Sequence, residues 1–115
     1  MSDIAGIVRK RAAEAASFLK DMIALKSVGG EGEREVQEYI AKRFAPFGTV
    51  ELREIPESLK QDPEYSRGDR EFDYRDRKNL VLRLPSSGRG RSLILNSHAD
   101  TVGVTDWPEA FTPRE

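Results

Sequence analysis

The 115-residue sequence has no cysteine. That excludes disulfides, thiolate zinc sites, iron–sulfur clusters and cysteine nucleophiles. It has one histidine, His98, so no multi-histidine metal site can be built from this chain alone. Neither sign of charge dominates. Lys and Arg number 19 against 20 Asp and Glu, a net charge of −1, which argues against a general nucleic-acid binder. No apolar run approaches the ~20 residues of a membrane helix. The basic residues Arg9, Lys10 and Arg11 are followed by no apolar stretch of the secretory kind. These absences predict a soluble, cytoplasmic chain with neither a membrane nor a nucleic-acid partner. The length fits one small domain, or one piece of a larger one, burying roughly two-thirds of its unfolded surface.

What is present begins with a helix pattern. Ser2 or Asp3 can cap it, because a short side-chain oxygen accepts from the free N–H groups of a first turn. Ile4, Ile7, Val8, Ala12, Ala15, Phe18, Leu19, Met22 and Ile23 then recur at steps of three and four, an apolar stripe that predicts a packing helix. Ser27-Val28-Gly29-Gly30 reads as a loop with two residues that tolerate positive φ. A second helix is expected from Glu31 or Glu33 to Phe44. Acidic residues lie near its start, Val36, Tyr39, Ile40 and Phe44 form its apolar face, and Pro46 and Gly48 stop it. Residues 49–55 alternate apolar and polar as a half-buried strand does, and Pro56 closes them.

Residues 57–78 differ in kind. Thirteen of the 22 are charged, seven acidic and six basic. They cannot bury much, so a long solvated loop or partly disordered insert is expected, facing a substrate or partner if it has a function. Two further strands are predicted: one over residues 79–84, the other over Ser92-Leu93-Ile94-Leu95-Asn96. The second lacks alternation, as a central strand covered on both faces does. The order predicts an α/β chain in which helices pack on a mixed β-sheet.

The last strand runs into Ser97-His98-Ala99-Asp100-Thr101. Residues i and i+2 of an extended chain point to one side, so His98 and Asp100 would project together from a strand end, where open α/β sheets commonly bind ligands. A carboxylate there can accept the Nδ1–H, fix the tautomer and make the other nitrogen a better ligand. Spacing alone leaves a metal-ligand pair, an acid–base pair and a local hydrogen bond all open. Asp106 and Glu109 are better read as exposed loop charges than as ligands. Gly88-Arg89-Gly90 opens no helix and so reads as a connector rather than a phosphate loop. Trp107 could line a substrate entrance or simply pack.

The stretch from Leu93 through Ser97-His98-Ala99-Asp100-Thr101-Val102 resembles the first metal motif of a zinc-dependent hydrolase family. That family includes acetylornithine deacetylase, succinyl-diaminopimelate desuccinylase, aminoacylase and the glutamate carboxypeptidases. Leu25 to Glu31 is similar to the family's loop between its first two helices. Asn79-Leu80-Val81 is similar to the strand before the metal strand. Trp107 and Phe111 resemble, more loosely, the tryptophan and Pro-Phe element that follows. The resemblance implies that residues 1–115 are the N-terminal portion of a zinc-exopeptidase-like catalytic domain. His98 would ligate one of two zinc ions, with cobalt or manganese as substitutes. Asp100 would serve catalysis by orienting His98. The substrate would be a small N-acyl amino acid or peptide, cleaved at its amide bond. The bridging Asp, the general-base Glu, the remaining ligands and a dimerisation domain have no counterpart here. Residues 1–115 alone are therefore expected to be inactive and to bind zinc weakly at best. The competing expectations are a non-catalytic truncated product or interaction module that self-associates through exposed sheet edges, and a metal-independent binder using residues 57–78.

Overall fold

A computed structural model describes residues 3–66 and 73–114. Helix α1 spans Ile4–Ala24 and is capped by Asp3, whose Oδ1 accepts from the Gly6 N–H at 2.9 Å. Ser2, the other candidate cap, lies outside the described residues. Helix α2 spans Gly29–Phe44. It starts two to four residues earlier than expected, because Gly29 adopts φ +73° and lets the chain turn directly into the helix. Pro46 ends α2 as expected, in a short 3₁₀ turn over Ala45–Phe47. Strand β1 is Thr49–Glu54 and strand β2 is Lys78–Arg83. They pair antiparallel, with Thr49 opposite Arg83 and Glu54 opposite Lys78. Val50 faces Leu82 and Leu52 faces Leu80, the apolar cross-strand pairs that stabilise a sheet.

The chain is thus an α plus β structure, with three departures from expectation. The sheet described is purely antiparallel and two-stranded, not mixed. Among the described elements, α2 is the helix that packs on it. Leu93, Ile94 and Leu95 form no strand and are 81%, 87% and 88% exposed. A central strand needs neighbouring backbone on both sides to take its N–H and C=O groups. Among the described residues, nothing lies beside residues 92–96 in that way. His98 therefore projects from irregular chain, not from a strand end.

The helices meet through aromatic and charged side chains. Phe18 of α1 stacks on Tyr39 at 5.5 Å and meets Phe44 edge-on at 5.7 Å, and Phe44 contacts Phe47. The Tyr39 hydroxyl donates to Asp21, and Arg43 pairs with Glu14. Val36 is the one fully buried apolar side chain among the described residues. The front of the α1 stripe, Ile4, Ile7 and Val8, stays exposed, so α1 packs only through its second half. A 21-residue helix is about 32 Å long, and its contacts with α2 described above run from Glu14 to Asp21. A compact 13.0 kDa chain exposes roughly 6,300 Å²; this one exposes 10260 Å², with a radius of gyration of 17.2 Å. Much apolar surface is uncovered.

The segment between the strands is less free than its composition predicts. Residues Glu57–Gln61 form a 3₁₀ turn. The Tyr65 and Tyr74 hydroxyls are hydrogen-bonded at 2.7 Å, and Lys60 lies over the Tyr74 ring. The centre of the expected insert, residues 67–72, lies outside the described residues. No helix among the described residues is long and apolar enough to cross a membrane.

Candidate functional site around His98

His98 and Asp100 do come together. The His98 Nδ1 lies 3.1 Å from the Asp100 main-chain carbonyl and 3.4 Å from its carboxylate Oδ1. The carbonyl makes the hydrogen bond, and the carboxylate stands just beyond it. A carbonyl oxygen can only accept, so this bond calls for a hydrogen on Nδ1, and a neutral ring so bonded would carry its lone pair at Nε2. The His98 side chain is 84% exposed, and Nε2 has no hydrogen-bond partner among the described residues. An imidazole with Nδ1 engaged and Nε2 open is suited to ligate a metal or exchange a proton.

The pair lines a cleft of about 270 Å³ between the start of β2, α2 and residues 97–100. Glu33 and Val36 of α2, Tyr74, Arg77 and Lys78 line it opposite His98 and Asp100. Arg77 Nη1 donates to Glu33 Oε1 at 3.0 Å, and both side chains are only 20% exposed. This half-buried pair ties the segment before β2 to the first turns of α2. The Tyr65 hydroxyl, followed by burial, raises the Tyr74 phenol above its ordinary pKa.

The motif is held from its far side. The Thr101 N–H donates to the Ser27 carbonyl at 2.9 Å, and the two hydroxyls lie 3.5 Å apart. Ser27 is 4% exposed. The turn before α2 and the His98 segment, each singled out in the sequence, are therefore in direct contact. That turn is tight. Lys26 has φ +50°, and a Cβ on Gly32 would collide with the Lys26 carbonyl oxygen.

The other candidates lie elsewhere. Glu109 pairs with Arg114, Asp106 is exposed, and neither lines the His98 cleft. Trp107 is 62% exposed and borders a separate cleft of about 230 Å³ against Ile23. Residues 88–90 form an exposed connector. Sequence reading did not place Glu33 and Arg77 together at the cleft. It took the first for a helix-dipole charge and the second for part of a charge run. They are 44 residues apart, and no local pattern joins them.

The metal implied by the family resemblance can be tested against these side chains. His98 suits one ligand position. No group of three or more His, Cys, Asp or Glu side chains among the described residues is arranged to hold a metal ion. A zinc site needs three or four protein ligands, so these residues alone do not make one. Comparison of the chain with protein-family models, curated proteins and solved structures found no match.

Proposed function

We propose that residues 1–115 contribute one metal ligand, His98, to a metal-dependent hydrolase of amide or peptide bonds of the deacylase or exopeptidase kind. The observation that supports this reading is the His98 ring, engaged at Nδ1 and open at Nε2 beside a cleft. The resemblance of residues 93–102 to the first metal motif of the zinc hydrolases supplies the reaction class. In this reading zinc, cobalt or manganese is the metal, and the other ligands and general base come from outside residues 1–115. Asp100 orients the ring, its carbonyl by hydrogen bond and its carboxylate by charge. The substrate is a small N-acyl amino acid or peptide, and the compartment is the cytoplasm.

The test uses a longer polypeptide that includes residues 1–115. It should hydrolyse N-acyl amino acids or dipeptides only with a divalent metal present, and His98→Ala should abolish the activity. Hydrolysis that survives exhaustive chelation would sink the proposal. Immunocapture of the native polypeptide should also return an intact mass well above 13.0 kDa.

A second reading is favoured by the exposure of Leu93, Ile94 and Leu95. A contiguous exposed apolar segment, in a chain whose two-stranded sheet has open edges, is suited to association. Residues 1–115 would then be a non-catalytic module that self-associates. The same chelation and His98→Ala experiments separate the two, since association does not need the imidazole.

A further inference from the structure

We infer that Ser27 is a positioning residue for His98, acting through the peptide unit between Asp100 and Thr101. The inference deepens the reading of His98 as a ligand and takes its functional meaning from it. The two ends of that one peptide unit make the two bonds that matter. Its N–H, from Thr101, donates to the Ser27 carbonyl at 2.9 Å. Its C=O, from Asp100, accepts from His98 Nδ1 at 3.1 Å. A trans peptide is planar, with N–H and C=O pointing in opposite directions. Fixing the direction of the N–H therefore fixes the direction of the carbonyl, and with it the acceptor that sets the tautomer of His98. Bonds chained through one peptide also polarise each other.

The setting leaves this connection little competition. Residues 91–104 contain no helix or strand that could orient the peptide. His98 and Asp100 are mostly exposed, so packing does not hold the ring. Ser27 is the anchor because it is the buried polar residue of the described chain. The Ser27 and Thr101 hydroxyls, 3.5 Å apart, close the contact from the side.

The test needs no metal and uses the whole 115-residue chain. His98 is its one histidine, so the imidazole signals are unambiguous. With the ring neutral, nitrogen NMR should show mainly the Nδ1–H form, whereas histidine in an unstructured peptide prefers Nε2–H. The Thr101 amide should exchange roughly three- to tenfold more slowly than an unbonded amide. Thr101→Pro removes the N–H and should return the ring to the unstructured ratio. Thr101→Val keeps the N–H and should keep the Nδ1–H form. An unprotected Thr101 amide in the unaltered chain would overturn the inference without any variant. So would a Thr101→Pro chain with the unaltered tautomer and protected β1 and β2 amides. None of these readouts involves zinc. If a longer polypeptide leaves the ring untouched by zinc, the ligand reading fails while the peptide connection is judged on its own.

Discussion

Replacing Gly32 by alanine sets two effects of opposite sign against each other. In an isolated helix the change stabilises, because alanine exceeds glycine by about 1 kcal/mol in helix propensity. Here the added Cβ would collide with the Lys26 carbonyl oxygen, 3.0 Å from the carbonyl carbon and 3.2 Å from the Ser27 Cα. These are main-chain atoms, so no side-chain rotation relieves the contact. The turn already uses left-handed conformations at Lys26 and Gly29, which limits its retreat. Forcing extra volume into such a contact costs about 1–3 kcal/mol. The collision should win, with a net destabilisation of about 1 kcal/mol. Urea unfolding followed by helical circular dichroism would read that loss, and Thr101 amide exchange would read the displaced turn. Gly6→Ala is the control. Its Cβ would meet the rotatable Asp3 carboxylate, so the loss of the cap and the gain in propensity should nearly cancel. A Gly32→Ala chain as stable as the parent, with Thr101 equally protected, would refute the reasoning.

Three further outcomes follow from the geometry. Arg77→Ala should destabilise by about 1–3 kcal/mol, between the values for exposed and buried ion pairs. A double-mutant cycle with Glu33→Gln should show coupling, and strict additivity would count against the pair. The hydrogen bond to Asp21, then burial and the Asp21 charge, raises the Tyr39 phenol above its ordinary value of 10.0. A raised folded pKa contributes stability that is complete below pH 10.0 and is lost as the pH climbs through the folded value. Tyr39→Phe should therefore remove one titration from the part of the phenolate absorbance curve above pH 10.0, and an unchanged curve there would contradict the assignment. Ile94→Lys, at an 87% exposed site, should reduce any concentration-dependent association of the chain in sedimentation velocity without altering its helical content. Equal association by both chains would remove residues 93–95 from the interface.

The parts legible in the sequence are those decided within a few residues. Asp3 capping α1, Pro46 and Gly48 ending α2, and Pro56 bounding β1 act on their immediate neighbours. The meeting of His98 with Asp100 is of the same kind, since i and i+2 converge in extended chain. Which Asp100 oxygen accepts was not legible from the spacing. The main-chain carbonyl, not the carboxylate, makes the hydrogen bond. Other features depended on what lies alongside. The periodicity of α1 marked an apolar stripe, yet only its second half found a partner. The run Leu93-Ile94-Leu95 has the composition of a buried strand, but composition does not supply a neighbour, and the segment is exposed.

By itself, then, the sequence determined the helices, the two paired strands and the candidate histidine, because caps, breakers and periodicity are local. Only the tertiary structure decided the register of β1 against β2, the Glu33–Arg77 pair across 44 residues and the contact of Ser27 with Thr101 across 74. Those contacts close long loops, and which loops close is set by the free energy of the whole chain, not by any short stretch of it.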